Sequence, residues 1–120
     1  MNKSILWFLP AVLVALGIFL LSTFLAFPIQ VEGVGHLDKI EHSLAYFVLI
    51  VSFLLAYKKA GMLTRKKSYW LLLIACFYGM LLELVQYLFF SYRFFEWLDA
   101  GANVAGVFIG FMIFKLFDRG

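Results

Sequence analysis

The sequence predicts an all-α membrane protein: one domain over residues 1–120, built as an antiparallel bundle of four transmembrane helices. Three observations lead there. Of 120 residues, 65% are hydrophobic and only 14% charged, more apolar surface than a soluble domain of this size can hide. The apolar residues fall into four runs, about 5–27, 38–57, 69–90 and 98–117, each near the roughly 20 residues that cross a hydrocarbon core. Nearly all charges collect in the short connections, and no internal repeat or linker marks a second domain.

The first run follows Lys3 and imitates a secretory signal. Its 23 uncharged residues exceed the roughly 7–15-residue core of a signal peptide, and LSTFLAFP offers no small-residue cleavage site, so an uncleaved span is expected. Pro10 lies early enough to bend that helix without ending it. The second run opens with DKIEH, where Asp38 and Glu41 fit a capping box. The third holds a single charge, Glu83, inside GMLLELVQYLF. The fourth opens with Asp99 at an expected N-cap and continues through NVAGVFIG, whose Gly106 and Gly110 have the spacing that lets helix backbones approach closely in lipid. Cys76 is the only cysteine, which excludes an internal disulfide and any multi-cysteine metal site.

Orientation follows from the basic residues. Lys3, Lys58, Lys59, Arg65, Lys66, Lys67, Lys115 and Arg119 fall on one side, against Lys39 and Arg93 on the other. Both termini and the loop KKAGMLTRKK are therefore expected in the cytoplasm, with Tyr57, Tyr69 and Trp70 at the inner interface and Tyr92 and Trp97 at the outer one. The net charge of +3 reads as topology and attraction to anionic lipid, not as a nucleic-acid surface.

Filling a core of about 30 Å draws the polar outer ends of the second and fourth runs into the membrane. At about 1.5 Å per residue, His42 falls about 6 Å below the outer boundary, and Glu83 and Asn103 about 7.5 Å below it. Helical spacing puts Asp38, His42 and Tyr46 on one face, Asp99 and Asn103 on another, and Glu83 with Gln86 on a third, Gly79 one turn beneath. A carboxylate in a span needs a partner. The expectation is that Glu83 pairs with His42 or Arg93 and that Asn103 or Gln86 takes its remaining lone pairs. Capping alone explains Asp38 and Asp99 as well as function does, and His36 reads as a solvated loop residue. The aromatic runs read as lipid-facing surface.

The segments DKIEHSLAY, GMLLELVQYLF and R-F-F-E-W-L-DAGANVAGVFIG, in that order over about two thirds of the chain, resemble the VanZ-like family. The first span matches only in being hydrophobic. The resemblance implies a small multi-pass protein of the bacterial inner membrane and cell envelope. The family takes its name from a member linked to resistance against the lipoglycopeptide teicoplanin, and most members have no assigned chemistry. It carries His42, Glu83, Arg93, Asp99 and Asn103 over as site positions.

Three functions fit these residues. The first is recognition of a membrane lipid or lipid-linked envelope molecule, with Asp38, Gln86, Arg93 and Asn103 holding the headgroup and apolar faces the tail. The second is an enzyme on such a substrate, with His42, Glu83 and Asp99 as acid, base or ligands to a divalent ion; the mixed donors settle neither the metal nor a cofactor. The third is a small proton-coupled transporter, against which the clustering of polar groups at one depth speaks. The Gly106 and Gly110 face offers a surface for oligomer contact.

Overall fold

The computed structural model describes residues 3–20, 35–89 and 97–118, with backbone only at residues 3, 4, 35–39, 86, 89, 97 and 99. Nearly all of these described residues are helical, and none lies in a strand. A 3₁₀ turn, Lys3–Phe8, leads into α1 (Leu9–Leu20), followed by α2 (Gly35–Lys59), α3 (Arg65–Phe89) and α4 (Trp97–Phe117). Pro10 sits in the first turn of α1, where its missing N–H breaks no ladder bond.

Three helices are long and apolar enough to cross a membrane, over Ile40–Lys59, Arg65–Val85 and Ala100–Phe117. The apolar stretch Ile5–Leu20 is shorter, and the expected remainder of the first span, 21–27, lies outside the described residues. Within the three spans only 28%, 39% and 33% of residues are buried, so most of each surface faces outward. That surface is apolar: Phe77, Leu88, Leu98 and Leu116 all stand exposed, as suits a lipid solvent.

A tight connection makes α2 and α3 antiparallel. Gly61 takes a φ of 72° just past α2, its N–H donating to Lys58 O at 3.0 Å while Met62 N–H donates to Tyr57 O at 2.9 Å. This is the glycine-terminated pattern that satisfies the last carbonyls of a helix. Three residues later Thr64 Oγ1 accepts the Lys67 N–H at 3.1 Å and caps α3. Ser68, fully buried, donates its hydroxyl to Arg65 O at 2.7 Å and leaves no polar atom stranded in the hairpin.

Helix α4 runs parallel to α2 and packs closely on it. A Cβ at Gly106 would lie 2.1 Å from Ser43 O, and one at Gly110 2.6 Å from Ile50 Cγ2 and 3.0 Å from Phe47 O. The glycines thus do what their spacing suggests, but inside the chain. At both glycines the face packs against α2, whose atoms come too close to leave room for a side chain. Ser43 Oγ donates to Ala102 O at 2.8 Å in the same contact. Further along, Lys58 pairs with Asp118.

Helix α3 lies antiparallel to α4, with the Tyr69 and Phe111 rings 5.7 Å apart at one end and Gly79 against Asn103 further on. Tyr46, Leu49, Ile50, Leu54, Val107 and Phe111 form the core between the three long helices. Helix α1 joins through Tyr78, whose phenol donates to Ala15 O at 2.6 Å. At the basic end the Phe8 and Tyr57 rings meet edge to face at 5.0 Å, and Lys59 Nζ sits 4.6 Å over the Trp7 ring.

Two helix starts differ from expectation. α2 begins at Gly35 and α4 at Trp97, so Asp38 and Asp99 lie inside the first turns and not at the caps. Carboxylates there still favour the positive end of the helix dipole. His36 likewise belongs to α2 and not to a loop.

Candidate functional site

Away from the basic end, one buried polar side chain from each of the three spans gathers around Gly79. Glu83 on α3 is 5% exposed and Asn103 on α4 is 2% exposed, while Tyr46 on α2 is 3% exposed. Gly79 is the hub. A Cβ there would lie 3.0 Å from Asn103 Cβ, 3.2 Å from Tyr46 Cε1 and 3.3 Å from Asn103 Nδ2. Without a side chain at residue 79, the carboxamide and the phenol ring close over the α3 backbone. The Tyr46 and Tyr78 rings pack at 6.3 Å, and both Tyr78 and Glu83 lie within electrostatic reach of the Tyr46 phenol.

This contact corrects the depth ruler. Asn103 is level with Gly79, four residues and about 6 Å from Glu83 toward the basic end. The ruler sets Asn103 and Glu83 level because it counts every helix from its inner end, at Tyr57, Tyr69 and Phe117, as if those ends were flush. The real register is fixed by Gly106 against Ser43 and by Gly79 against Asn103.

The same contacts fix the levels across the bundle: Gly106 against Ser43 and Gly110 against Phe47 set Asn103 opposite residue 40 of α2, the Tyr46 ring reaches Gly79 from the basic side, and Glu83 stands one turn from Gly79 away from the basic end. Side chains lean toward the N-terminus of their helix, so Glu83 leans toward Gly79 while Asn103 leans the opposite way. Residues 83 and 103 therefore lean toward each other along the bundle axis.

His42 is half-buried and Glu83 buried, and both take part in interactions within the structure. Asn103 differs. Its Oδ1 is buried with no hydrogen-bond donor among the described residues, an arrangement that costs about 1–3 kcal/mol unless a partner is supplied. A carboxamide oxygen in this position can accept from a hydroxyl, an ammonium or a water.

Of the residues expected at the site, His42, Glu83 and Asn103 have described side chains. Asp38, Gln86 and Asp99 are placed by backbone only, and Arg93 lies outside the described residues. Among the described residues no cluster of three His, Cys, Asp or Glu side chains could hold a metal ion; the expected set of His42, Glu83 and Asp99 includes one side chain outside that description.

Two residues that sequence reasoning did not assign complete the region. Tyr46 shares the His42 face but is not expected to help close the pocket, as it does. Ser43, next to His42, ties α2 to α4; its partner is a backbone carbonyl, which carries no sequence signal. No family model, curated protein or solved structure matches this chain.

Proposed function

We propose that this chain is a VanZ-like membrane protein of the bacterial cell envelope that recognises the headgroup of a lipid-linked or amphiphilic envelope molecule. Buried polar groups inside apolar spans support the reading most directly: Asn103 packs on Gly79 with Glu83 buried one turn away, and Asn103 Oδ1 has no donor among the described residues. Ionisable groups at such positions mark function more often than structure.

In this reading the ligand's hydroxyl or amine donates to Asn103, while Glu83 and His42 orient the remainder. Arg93 and Lys39, which the charge pattern assigns to the outer side, would attract an anionic group, the guanidinium offering two parallel donors that a lysine cannot copy. Asp38, Gln86 and Asp99 would supply further polar groups to the headgroup. The apolar faces of the spans hold the tail. The mouth opens to the outer leaflet of the inner membrane, with both termini in the cytoplasm. The family resemblance ties this activity to teicoplanin-type lipoglycopeptide resistance.

Purified chain should retain labelled polyprenyl phosphate or phospholipid, and Glu83→Gln, at unchanged membrane abundance, should lower that retention at least about tenfold, the loss expected for one charge-assisted contact of about 1.5–3 kcal/mol. If neither lipid retention nor lipoglycopeptide susceptibility moves, the pocket is a structural tie and the proposal fails. Chemical turnover of the labelled lipid would shift the reading from recognition to an acid–base enzyme using the same three residues, His42, Glu83 and Asp99.

A further inference from the structure

At the opposite end of the bundle, away from the polar pocket, a cleft of about 440 Å³ opens where α3 begins and α4 ends. Arg65, Lys115 and the Thr64 hydroxyl line it on the polar side; Leu63, Tyr69 and Phe111 form its apolar wall. Asp118 also borders the cleft, but its carboxylate is taken by Lys58. Among the described residues no carboxylate pairs with Arg65 or Lys115, so the cations at the cleft outnumber its one carboxylate.

The level of the cleft identifies what fits. Arg65 is the first residue of one membrane-spanning segment, and Lys115 lies in the last turn of another. Both therefore stand where hydrocarbon gives way to headgroups, the depth of a phospholipid phosphate. The Tyr69 and Phe111 rings, 5.7 Å apart, supply the flat apolar wall against which glycerol and the first acyl carbons can rest. Lys115 Nζ lies 5.5 Å over the Phe111 ring, which holds the ammonium at the rim. Thr64 already accepts the Lys67 N–H and still has its own O–H to donate.

We propose that this cleft is a binding site for the phosphate-ester headgroup of an anionic phospholipid in the leaflet at the basic end. The guanidinium of Arg65 takes the two non-bridging phosphate oxygens, and Lys115 and the Thr64 hydroxyl donate to the remaining lone pairs of the same two atoms. Exposed Lys66 and Lys67 draw anionic lipid to this end without lining the cleft. A soluble phosphate would gain nothing from the aromatic wall. The site needs neither the pocket ligand proposed above nor any particular orientation in the membrane.

The test is a titration of the full chain, reconstituted in phosphatidylcholine nanodiscs, with phosphatidylglycerol, bound lipid being read by native mass spectrometry. The double variant R65Q/K115Q should weaken retention by roughly tenfold or more, two interfacial cations being lost. K66Q/K67Q removes the same charge from the same end outside the cleft and should weaken it less than about threefold, the part of the attraction that needs no cleft. Leu63→Trp keeps every charge, fills the cleft, and should weaken retention as well. Millimolar inorganic phosphate or glycerol phosphate should not compete.

Equal losses in the two double variants would mean diffuse attraction and overturn the site. Unchanged retention in Leu63→Trp would overturn the cleft as its location. Competition by inorganic phosphate at the same level as lipid would overturn the phospholipid in favour of a soluble anion. Helicity by circular dichroism confirms that each variant is folded; if R65Q/K115Q is not, Arg65→Gln alone and Leu63→Trp decide the question.

Discussion

At the scale of single residues, Asn103 is the most informative. Its Oδ1 is a buried acceptor without a donor among the described residues, so the side chain is expected to serve something other than stability. Asn103→Thr, nearly equal in volume and able to satisfy its hydroxyl on the carbonyl one turn back, should leave resistance to unfolding in detergent unchanged or raise it by about 1 kcal/mol, while lipid retention falls. A destabilisation above about 2 kcal/mol, the size expected on breaking a satisfied buried network, would make Asn103 a structural tie. Glu83 and Asn103 were legible in the sequence because each is a lone polar group in an apolar run. Tyr46 and Ser43 were not. Their roles depend on a bare backbone at Gly79 and a carbonyl at Ala102, neither of which a side-chain pattern records.

At the scale of elements, close approach of α4 to α2 rests on two glycines of unequal consequence. The Gly106 contact is with the Ser43 carbonyl at 2.1 Å, main chain that cannot move aside, whereas the nearest atom at Gly110 is the Cγ2 branch methyl of Ile50 at 2.6 Å, with the Phe47 carbonyl further off at 3.0 Å. Gly106→Ala should therefore cost about 2–3 kcal/mol and disrupt the Ser43–Ala102 bond, and Gly110→Ala nearer 1 kcal/mol. Chemical unfolding in mixed micelles distinguishes them, and equal losses would contradict the packing. The G-x-x-x-G spacing announced close approach but not its partner, since a small-residue face fits another span of the chain and a second copy equally well. The helix starts were misread at Asp38 and Asp99 because both residues suit a cap and a first turn alike. The stop at Gly61 and the cap at Thr64 sit in a stretch whose basic residues drew the reading toward orientation.

For the whole molecule, the three long spans were plain from composition and run length, and their borders moved by only a few residues. What composition does not contain is the relative height of the spans, which interlocking backbones set; that is why Asn103 stands one turn from where counting puts it. Orientation is a further statement at this scale. With eight basic residues on one side and two on the other, a reporter fused after Gly120 should be active only as a cytoplasmic fusion. Moving basic residues from the 58–67 region to the opposite loop should raise the external signal, and activity of the original fusion outside the cell would reverse the assignment.

The parallel contact between α2 and α4 has a consequence for biogenesis. As the nascent chain leaves the ribosome, α2 and α3 emerge first and can zip into a hairpin through the 60–64 connection, but the groove along Ser43, Phe47 and Ile50 stays open until the last helix is made. During that interval Glu83 has only α2 and α1 for company. Assembly of the polar site thus waits for α4, and a chain truncated ahead of Gly106 should be cleared by membrane quality control, whereas one truncated after Phe117 should not.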